Sequence, residues 1–183
     1  MNGSVLDAWE ADERAVRERR TQAPGAVGPG DVRGRSGLEF LGDMLAGRVP
    51  PAPIAESLDY LLLHVAEGKA VFQGRPGPRF LNPMGGLHGG WYATLLDSAV
   101  GCAVHTTLAP GRGYTTLELK MNLVRAIGAD VPLVRAEGRT IHVGRQVATA
   151  EGRLVGPDGK LYAHATTTCL IFDLPNARPA TAP

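Results

Sequence analysis

The sequence lacks a long hydrophobic run, has little cysteine and carries almost no net charge. Although 44% of its 183 residues are hydrophobic, no apolar stretch is long enough to cross a bilayer. A formal net charge of +1 gives no reason to expect nucleic acid or a membrane as the main partner. The two cysteines, Cys102 and Cys169, lie in apolar segments without metal-ligand spacing. We interpret them as reduced core residues of a cytoplasmic protein, with a disulfide between them left open.

Several catalytic signatures are also missing. The five histidines are scattered without zinc-type spacing, so we expect no metal site. The chain has no Gly-x-Ser-x-Gly nucleophile elbow and no Walker or dinucleotide-binding glycine pattern. We therefore expect a chemistry that uses neither a metal nor a redox cofactor.

Composition divides the chain into three parts. Residues 1–50 are charged and then rich in glycine and proline, which predicts an N-terminal extension made of a flexible arm and a short helix. Within it, Ser36 and Glu39 form a capping-box pattern at the start of a short amphipathic segment. Residues 51–173 carry the patterns of one folded domain, and residues 174–183 are predicted to be a disordered tail.

The folded part has the pattern of two strands, one long helix and four further strands. Two β-type runs separated by Glu67-Gly68 predict a hairpin, and the apolar segment from about Gly89 to Thr107 predicts a helix buried on all faces. Apolar residues then alternate with polar ones, which predicts a half-buried strand: Leu117, Leu119, Met121 and Leu123. Three more strands complete a predicted antiparallel meander, at about residues 133–141, 146–155 and 160–173. Because a helix buried on every face needs more cover than a flat sheet, we expect an α+β fold in which a curved antiparallel sheet wraps around it.

Polar side chains and glycines at the start of this helix are the candidate catalytic groups. Asp97 is the one acid within the apolar helix, and burial of an uncompensated carboxylate costs several kcal/mol. It is a candidate general base or nucleophile, with a buried structural acid as the alternative. Gly89 and Gly90 allow a carbonyl to approach the free N–H groups of the helix start, or else serve a loop with unusual backbone angles.

The spacing of His88 and Asp97 also bears on assembly. On a helix, nine residues correspond to about 13 Å along the axis and to roughly opposite sides. The two side chains cannot face one small reacting group from the same helix. If both act at one site, two subunits must share it.

The order Asn82, His88-Gly89-Gly90 and Asp97 resembles that of the PaaI-type hotdog-fold acyl-CoA thioesterases. The resemblance covers about residues 51–173 and continues in the later strands, in the segments Thr116-x-Glu118-Leu-x-x-Asn122-x-x-Arg125, Gly138 to Arg145 and Ala163 to Thr168. It implies a hotdog fold, in which a curved antiparallel sheet wraps one long central helix. It also implies hydrolysis of an acyl-CoA thioester at the interface of a homodimer or homotetramer, with aryl-acetyl or medium-chain acyl groups as substrates.

The resemblance further implies a role for each catalytic position. Asp97 would act as general base or nucleophile, and the Gly89 N–H would polarise the thioester carbonyl with support from His88. Asn82 would help to position the attacking water. Thr116 would assist Asp97, with Thr115 as the alternative.

The candidate substrate-binding residues are Gly90, Arg125, Gly144 and Arg145. The two arginines are candidates for contacts to CoA phosphates, with solvated strand charges as the alternative. Two other functions stay open: a catalytically silent acyl-CoA binding or sensing module, and a hotdog acyl-thioester dehydratase.

Overall fold

Short helices, a strand hairpin, one long helix and four more strands follow each other along the chain. The computed structural model describes residues 4–128 and 130–175. Four helices come first: α1 (Val5–Arg19), α2 (Pro29–Arg33), α3 (Gly37–Leu45) and α4 (Pro53–Ser57). The hairpin and the long helix are β1 (Tyr60–Ala66), β2 (Lys69–Gly74) and α5 (Gly89–His105), with a 3-10 turn at Pro78–Phe80 between them. The remaining strands are β3 (Arg112–Leu123), β4 (Val134–Val143), β5 (Val147–Val155) and β6 (Leu161–Asp173).

The six strands of the described residues form one antiparallel sheet in the order β1-β2-β4-β5-β6-β3. The sheet curves around α5, which confirms the predicted hotdog architecture. The predicted meander is wrong in one respect, because β3 pairs with β6 and β4 pairs with β2. Helix α5 carries the chain from β2 to the far edge of the sheet, so β3 forms there. The following connection then returns the chain to the middle of the sheet.

Helix α5 packs against the sheet with one side of its surface. The residues on this side have no exposed area: Leu95, Leu96, Ala99, Val100, Ala103 and Val104. On the other side Thr94, Asp97 and Ser98 are half-exposed. The prediction of burial on all faces is therefore wrong for a single protomer, because the sheet covers the helix from one side only.

A β-bulge in β3 changes the predicted alternation. The pairing of β3 with β6 shifts register between Thr116 and Glu118, and Leu117 is 59% exposed. Thr116 lies opposite the buried Cys169, on the side of the sheet that faces α5. The bulge thus removes Leu117 from the predicted buried set and directs Thr116 towards the helix.

Two locally encoded features follow the sequence patterns closely. The capping box of α3 is present, with Ser36 Oγ accepting from Glu39 N at 3.2 Å and Glu39 Oε2 accepting from Ser36 N at 2.7 Å. Gly68, in the β1–β2 turn, has a φ of 70°, a conformation that suits glycine. Both cysteines are free thiols.

Helix α1 is attached to the sheet through a buried carboxylate. Glu13 is 3% exposed and accepts hydrogen bonds from Arg17 Nε at 2.8 Å, Arg75 Nε at 2.9 Å and Gln73 Nε2 at 2.9 Å. Burial by itself raises the pKa of Glu13, but the bonds from Arg75, Arg17 and Gln73 outweigh it and hold the pKa below 4.5. The ionised carboxylate therefore stabilises this docking above about pH 4.5, and the contribution is lost as the pH falls through the lowered pKa. Composition alone did not predict such packing of the extension.

The division into an extension, a hotdog domain and a tail stays a prediction. Of the predicted disordered tail, residues 176–183 lie outside the described part of the chain. No helix within the described residues combines the length and apolar character needed to cross a membrane.

Candidate active site

The loop before α5 is closed by Asn82. Its side-chain Oδ1 accepts from the backbone N–H groups of Met84 at 2.9 Å and Gly86 at 3.1 Å. Its backbone N–H donates to Gly86 O at 2.7 Å. This short polar side chain satisfies backbone donors that the turn would otherwise leave open. Asn82 thereby gives a defined shape to the segment that delivers His88 to the helix.

His88 is the N-cap of α5. Its Nδ1 accepts from Gly90 N at 2.9 Å, and its carbonyl oxygen accepts from Trp91 N at 3.0 Å. A neutral imidazole that accepts at Nδ1 carries its proton on Nε2. The cap uses the amides of the second and third helical residues, whereas the amide of Gly89, the first, has no partner within its own helix. Gly89 N–H is therefore the donor that the helix start offers to a ligand, and the positive end of the helix dipole strengthens it.

Asp97 lies eight residues further on, on the half-exposed side of α5. Its Oδ1 accepts a hydrogen bond from Thr116 Oγ1 at 3.0 Å. Thr115, the alternative partner, is exposed and pairs with Leu170 on the outer side of the sheet. Within residues 4–128 and 130–175, no lysine or arginine forms an ion pair with Asp97.

The groups beside Asp97 are neutral. Burial raises the pKa of the Cys102 thiol to about 12, and burial raises that of the Tyr114 hydroxyl well above 10. Both groups therefore keep their protons at neutral pH. Asp97 thus faces uncharged neighbours and one hydroxyl donor, an arrangement that leaves its second oxygen available for a reacting group.

Gly89 and Asp97 do not meet within one protomer. Eight helical residues separate them by about 12 Å along the axis of α5, too far for both to contact one carbonyl group. The structure thus brings Asp97 together with Thr116, and His88 together with Gly90, as two separate halves of the candidate site.

The predicted substrate-binding residues are also spread over the molecule. Arg125 is exposed just after β3, and Arg145 is exposed in the β4–β5 turn, where its carbonyl accepts from Arg112 Nη2 at 2.7 Å. Gly144 N–H donates to Val147 O at 2.8 Å in the same turn. The two arginines lie near opposite ends of β3, a 12-residue strand roughly 40 Å long. One protomer therefore does not bring them to a single phosphate group.

Sequence reasoning missed a cavity of about 200 Å³ next to the loop that ends at His88. We call it the loop cavity; its lining comes from three segments, namely Pro76, Gly77 and Pro78, then Leu81, Gly85 and Leu87, then Ile127, Gly128 and Val131. Its third segment is held in place by the hydrogen bond from Ile127 N to Tyr92 OH, at 2.9 Å. The proline–glycine run before the helix was the available signal, but which segments meet there depends on the β3–β4 connection. Among the described residues, no group of three or more His, Cys, Asp or Glu side chains is arranged to hold a metal ion.

Comparisons with known family models and solved structures lead to the same family. The family model of the thioesterase superfamily matches residues 84–163. The phenylacetic acid degradation-related protein of Ralstonia eutropha JMP134 is 33% identical, over 70% of this chain and 97% of that one, with a TM-score of 0.64. A point mutant of the phenylacetic acid degradation protein PaaI from Thermus thermophilus is also 33% identical, over 64% of this chain and 97% of that one, with a TM-score of 0.59.

A more distant structure shares the fold alone. It is a hypothetical thioesterase protein with coenzyme A from Streptococcus pneumoniae TIGR4, which is 24% identical over 66% of this chain and 92% of that one, with a TM-score of 0.59. No protein of curated function matches the chain. The sheet wrapped around α5, the superfamily match and the two relatives at 33% identity lead to one assignment: this chain belongs to the PaaI-type hotdog thioesterases of the thioesterase superfamily.

Proposed function

We propose that the protein hydrolyses acyl-CoA thioesters to the free acid and CoA, with Asp97 as the general base or nucleophile. The observation that carries this proposal is the contact of Asp97 with Thr116 on the half-exposed side of α5. A carboxylate with one oxygen held by a hydroxyl and no cationic partner among the described residues is available to accept a proton. Membership of a thioesterase family supports the reaction class.

The proposed reaction divides the work between the two halves of the site. The thioester carbonyl accepts a hydrogen bond from Gly89 N–H, which stabilises the negative charge that develops on its oxygen. Asp97 takes a proton from water as the water oxygen bonds to the carbonyl carbon. When the tetrahedral intermediate collapses, the carbon–sulfur bond breaks and the CoA thiol leaves with a proton returned by Asp97. Thr116 keeps the carboxylate in the orientation needed for both transfers.

Completion of such a site requires a second copy of the chain. Strand β3 is an edge strand, since its one neighbour in the described sheet is β6. Two large apolar side chains on it are exposed, Leu117 at 59% and Leu123 at 51%. Pairing of this edge between two copies buries these side chains and places one Asp97 close to the partner's helix start. We therefore propose a homodimer, or a homotetramer built from it, with active sites at the dimer interface.

The loop cavity is the proposed site of the acyl group. Leu87, the residue before His88, belongs to its lining, and most of this lining is apolar. A dry cavity of about 150 Å³ is known to hold benzene, so about 200 Å³ suits one aromatic ring or a short aliphatic chain. Among the expected substrates, aryl-acetyl groups fit this volume better than medium-length chains.

Thiol release from a panel of acyl-CoA esters tests the proposal directly. We expect phenylacetyl-CoA to be hydrolysed with a higher kcat/KM than acetyl-CoA or palmitoyl-CoA. Tight binding of the esters without thiol release would instead favour the silent binding module. Hydration of an enoyl-CoA would favour the dehydratase.

Gly89→Pro is expected to lower kcat by about 10²–10³-fold, the cost of one oxyanion donor. Proline removes the amide hydrogen and is tolerated at the first residue of a helix, and His88 already has the extended backbone that precedes proline, with φ −64° and ψ 134°. Gly89→Ala is the matched control because it keeps the N–H group and places its Cβ at an ordinary 3.4 Å from Leu123 Cδ1. Steady-state thiol release measures both variants. Equal losses in the two would show that the amide hydrogen is not the important group.

A further inference from the structure

We infer that helix α1 of the N-terminal extension positions the wall of the acyl-binding cavity, and that Glu13 and Asp59 are the residues through which it does so. This inference rests on the proposed function of the loop cavity. The segment that transmits the effect is residues 75–80, which we call the proline loop.

The first connection runs from Glu13 to the start of the proline loop. Glu13 Oε1 accepts from Arg75 Nε at 2.9 Å and from Arg17 Nε at 2.8 Å, while Glu13 Oε2 accepts from Gln73 Nε2. Gln73 is itself fixed, because its Oε1 accepts from Arg135 Nε at 2.9 Å. Each oxygen of this buried carboxylate therefore accepts from at least one donor, and Arg135 fixes the orientation of the Gln73 donor.

The second connection runs through Asp59, in the turn before β1. Its Oδ1 accepts from Arg17 Nη2 at 2.9 Å, and its Oδ2 lies 3.8 Å from Arg79 Nη2. Its carbonyl oxygen also accepts from Arg75 N at 3.0 Å. Glu13 thus contacts Arg75 and Asp59 contacts Arg79, and Arg17 links the two carboxylates.

The other side of the proline loop faces the site. Pro76, Gly77 and Pro78 line the loop cavity. At the end of the loop, the Phe80 ring stacks on Trp91 in the first turn of α5 with centroids 6.1 Å apart, and Phe80 O accepts from His88 N at 2.9 Å. The loop therefore lies between α1 on one side and the cavity and helix start on the other.

Side-chain ion pairs are needed here because the backbone of this loop has few donors. Two of its six residues are prolines, which lack an N–H group. Without the carboxylates of Glu13 and Asp59, the loop would be held only at its two ends, by the backbone bond from Arg75 N to Asp59 O and by the contacts at Phe80. Displacement of the loop changes the cavity wall while Asp97 and Thr116, on the other half of the site, stay in place.

The test compares Glu13→Gln and Asp59→Asn with Asp12→Asn. In Glu13→Gln the new NH₂ group faces a donor whichever way it is turned, and in Asp59→Asn the backbone φ of 50° is retained because asparagine tolerates it. Asp12 is the matched control, since it attaches α1 to Arg135 on the sheet at 2.7 Å and forms no ion pair with the described residues of the proline loop. All three variants weaken contacts between α1 and its neighbours. Only Glu13→Gln and Asp59→Asn also weaken contacts to the proline loop.

Two readouts separate positioning from stability. We expect the ratio of kcat/KM for phenylacetyl-CoA to that for acetyl-CoA to fall by about tenfold in Glu13→Gln and Asp59→Asn, through a higher KM for phenylacetyl-CoA. We expect backbone hydrogen exchange across residues 75–88 to be faster in both, and both quantities to be unchanged in Asp12→Asn. Unchanged exchange, or faster exchange with unchanged selectivity, would overturn the inference. A wild type without thiol release contradicts the proposed function, and hydrogen exchange then decides whether α1 positions the loop.

Discussion

Asp97→Asn is expected to lower the kcat of thioester hydrolysis by about 10²–10⁴-fold, the range for removal of a positioned general base. The amide has nearly the same shape and can still accept the hydrogen bond from Thr116, but it can neither take a proton from water nor attack a carbonyl. Thiol release measures the loss, and circular dichroism verifies that the variant is folded. A folded Asp97→Asn protein with wild-type turnover would show that Asp97 does not take part in the reaction.

Thr116→Val is expected to lower kcat less than Asp97→Asn does. It removes the 3.0 Å hydrogen bond to Asp97 and keeps the side-chain volume. Loss of one such bond is worth about 1 kcal/mol, so we expect a decrease in kcat of about fivefold to tenfold. Thr115→Val, on the exposed side of β3, is expected to have little effect.

Mixing two inactive variants tests whether subunits share the site. In a dimer of one Asp97→Asn chain and one Gly89→Pro chain, one of the two sites has both groups intact. Random exchange of subunits between two-fold symmetric dimers then restores about a quarter of the wild-type activity. If Gly89 and Asp97 of the same chain worked together, mixing would restore no activity.

Gly138→Ala is expected to lower the free energy of unfolding by about 3 kcal/mol. A Cβ at this position would overlap the carbonyl group of Ala99 and lie 2.8 Å from Val100 N. These are backbone atoms in the middle of α5, so the helix itself must move away from β4. The same movement displaces Asp97, two residues before Ala99, and we expect activity to fall together with stability. Urea denaturation measures the change in unfolding free energy.

Gly152→Ala provides the matched control for this prediction. Gly152 lies directly opposite Gly138 in the pairing of β4 with β5. Its added Cβ would meet Val100 Cγ1 at 2.7 Å and Leu96 Cδ2 at 3.3 Å, which are the ends of side chains that can adjust. We expect a cost of about 1 kcal/mol. Equal costs for the two variants would contradict the view that helix backbone packed on the sheet sets the position of α5.

The separation of Asp97 from Gly89 could be predicted from the sequence alone. Both residues belong to one helix, and its rise of about 1.5 Å per residue is enough to place them about 12 Å apart along the axis. The period of the helix does not predict which threonine donates a hydrogen bond to Asp97. Thr115 and Thr116 were both open, and the bulge at Leu117 determines which hydroxyl turns towards the helix.

The sequence by itself determined the elements whose signals lie within a few residues. The capping box of Ser36 and Glu39, the turn at Gly68 and the apolar helix after His88 depend on local hydrogen bonds, backbone angles and periodicity, which neighbouring residues control. Only the tertiary structure decided that β4 lies next to β2, that Leu117 is a bulge and that Glu13 is buried against Arg75. These features join residues about 50 to 70 positions apart in the chain, so their energies come from packing that no local pattern records.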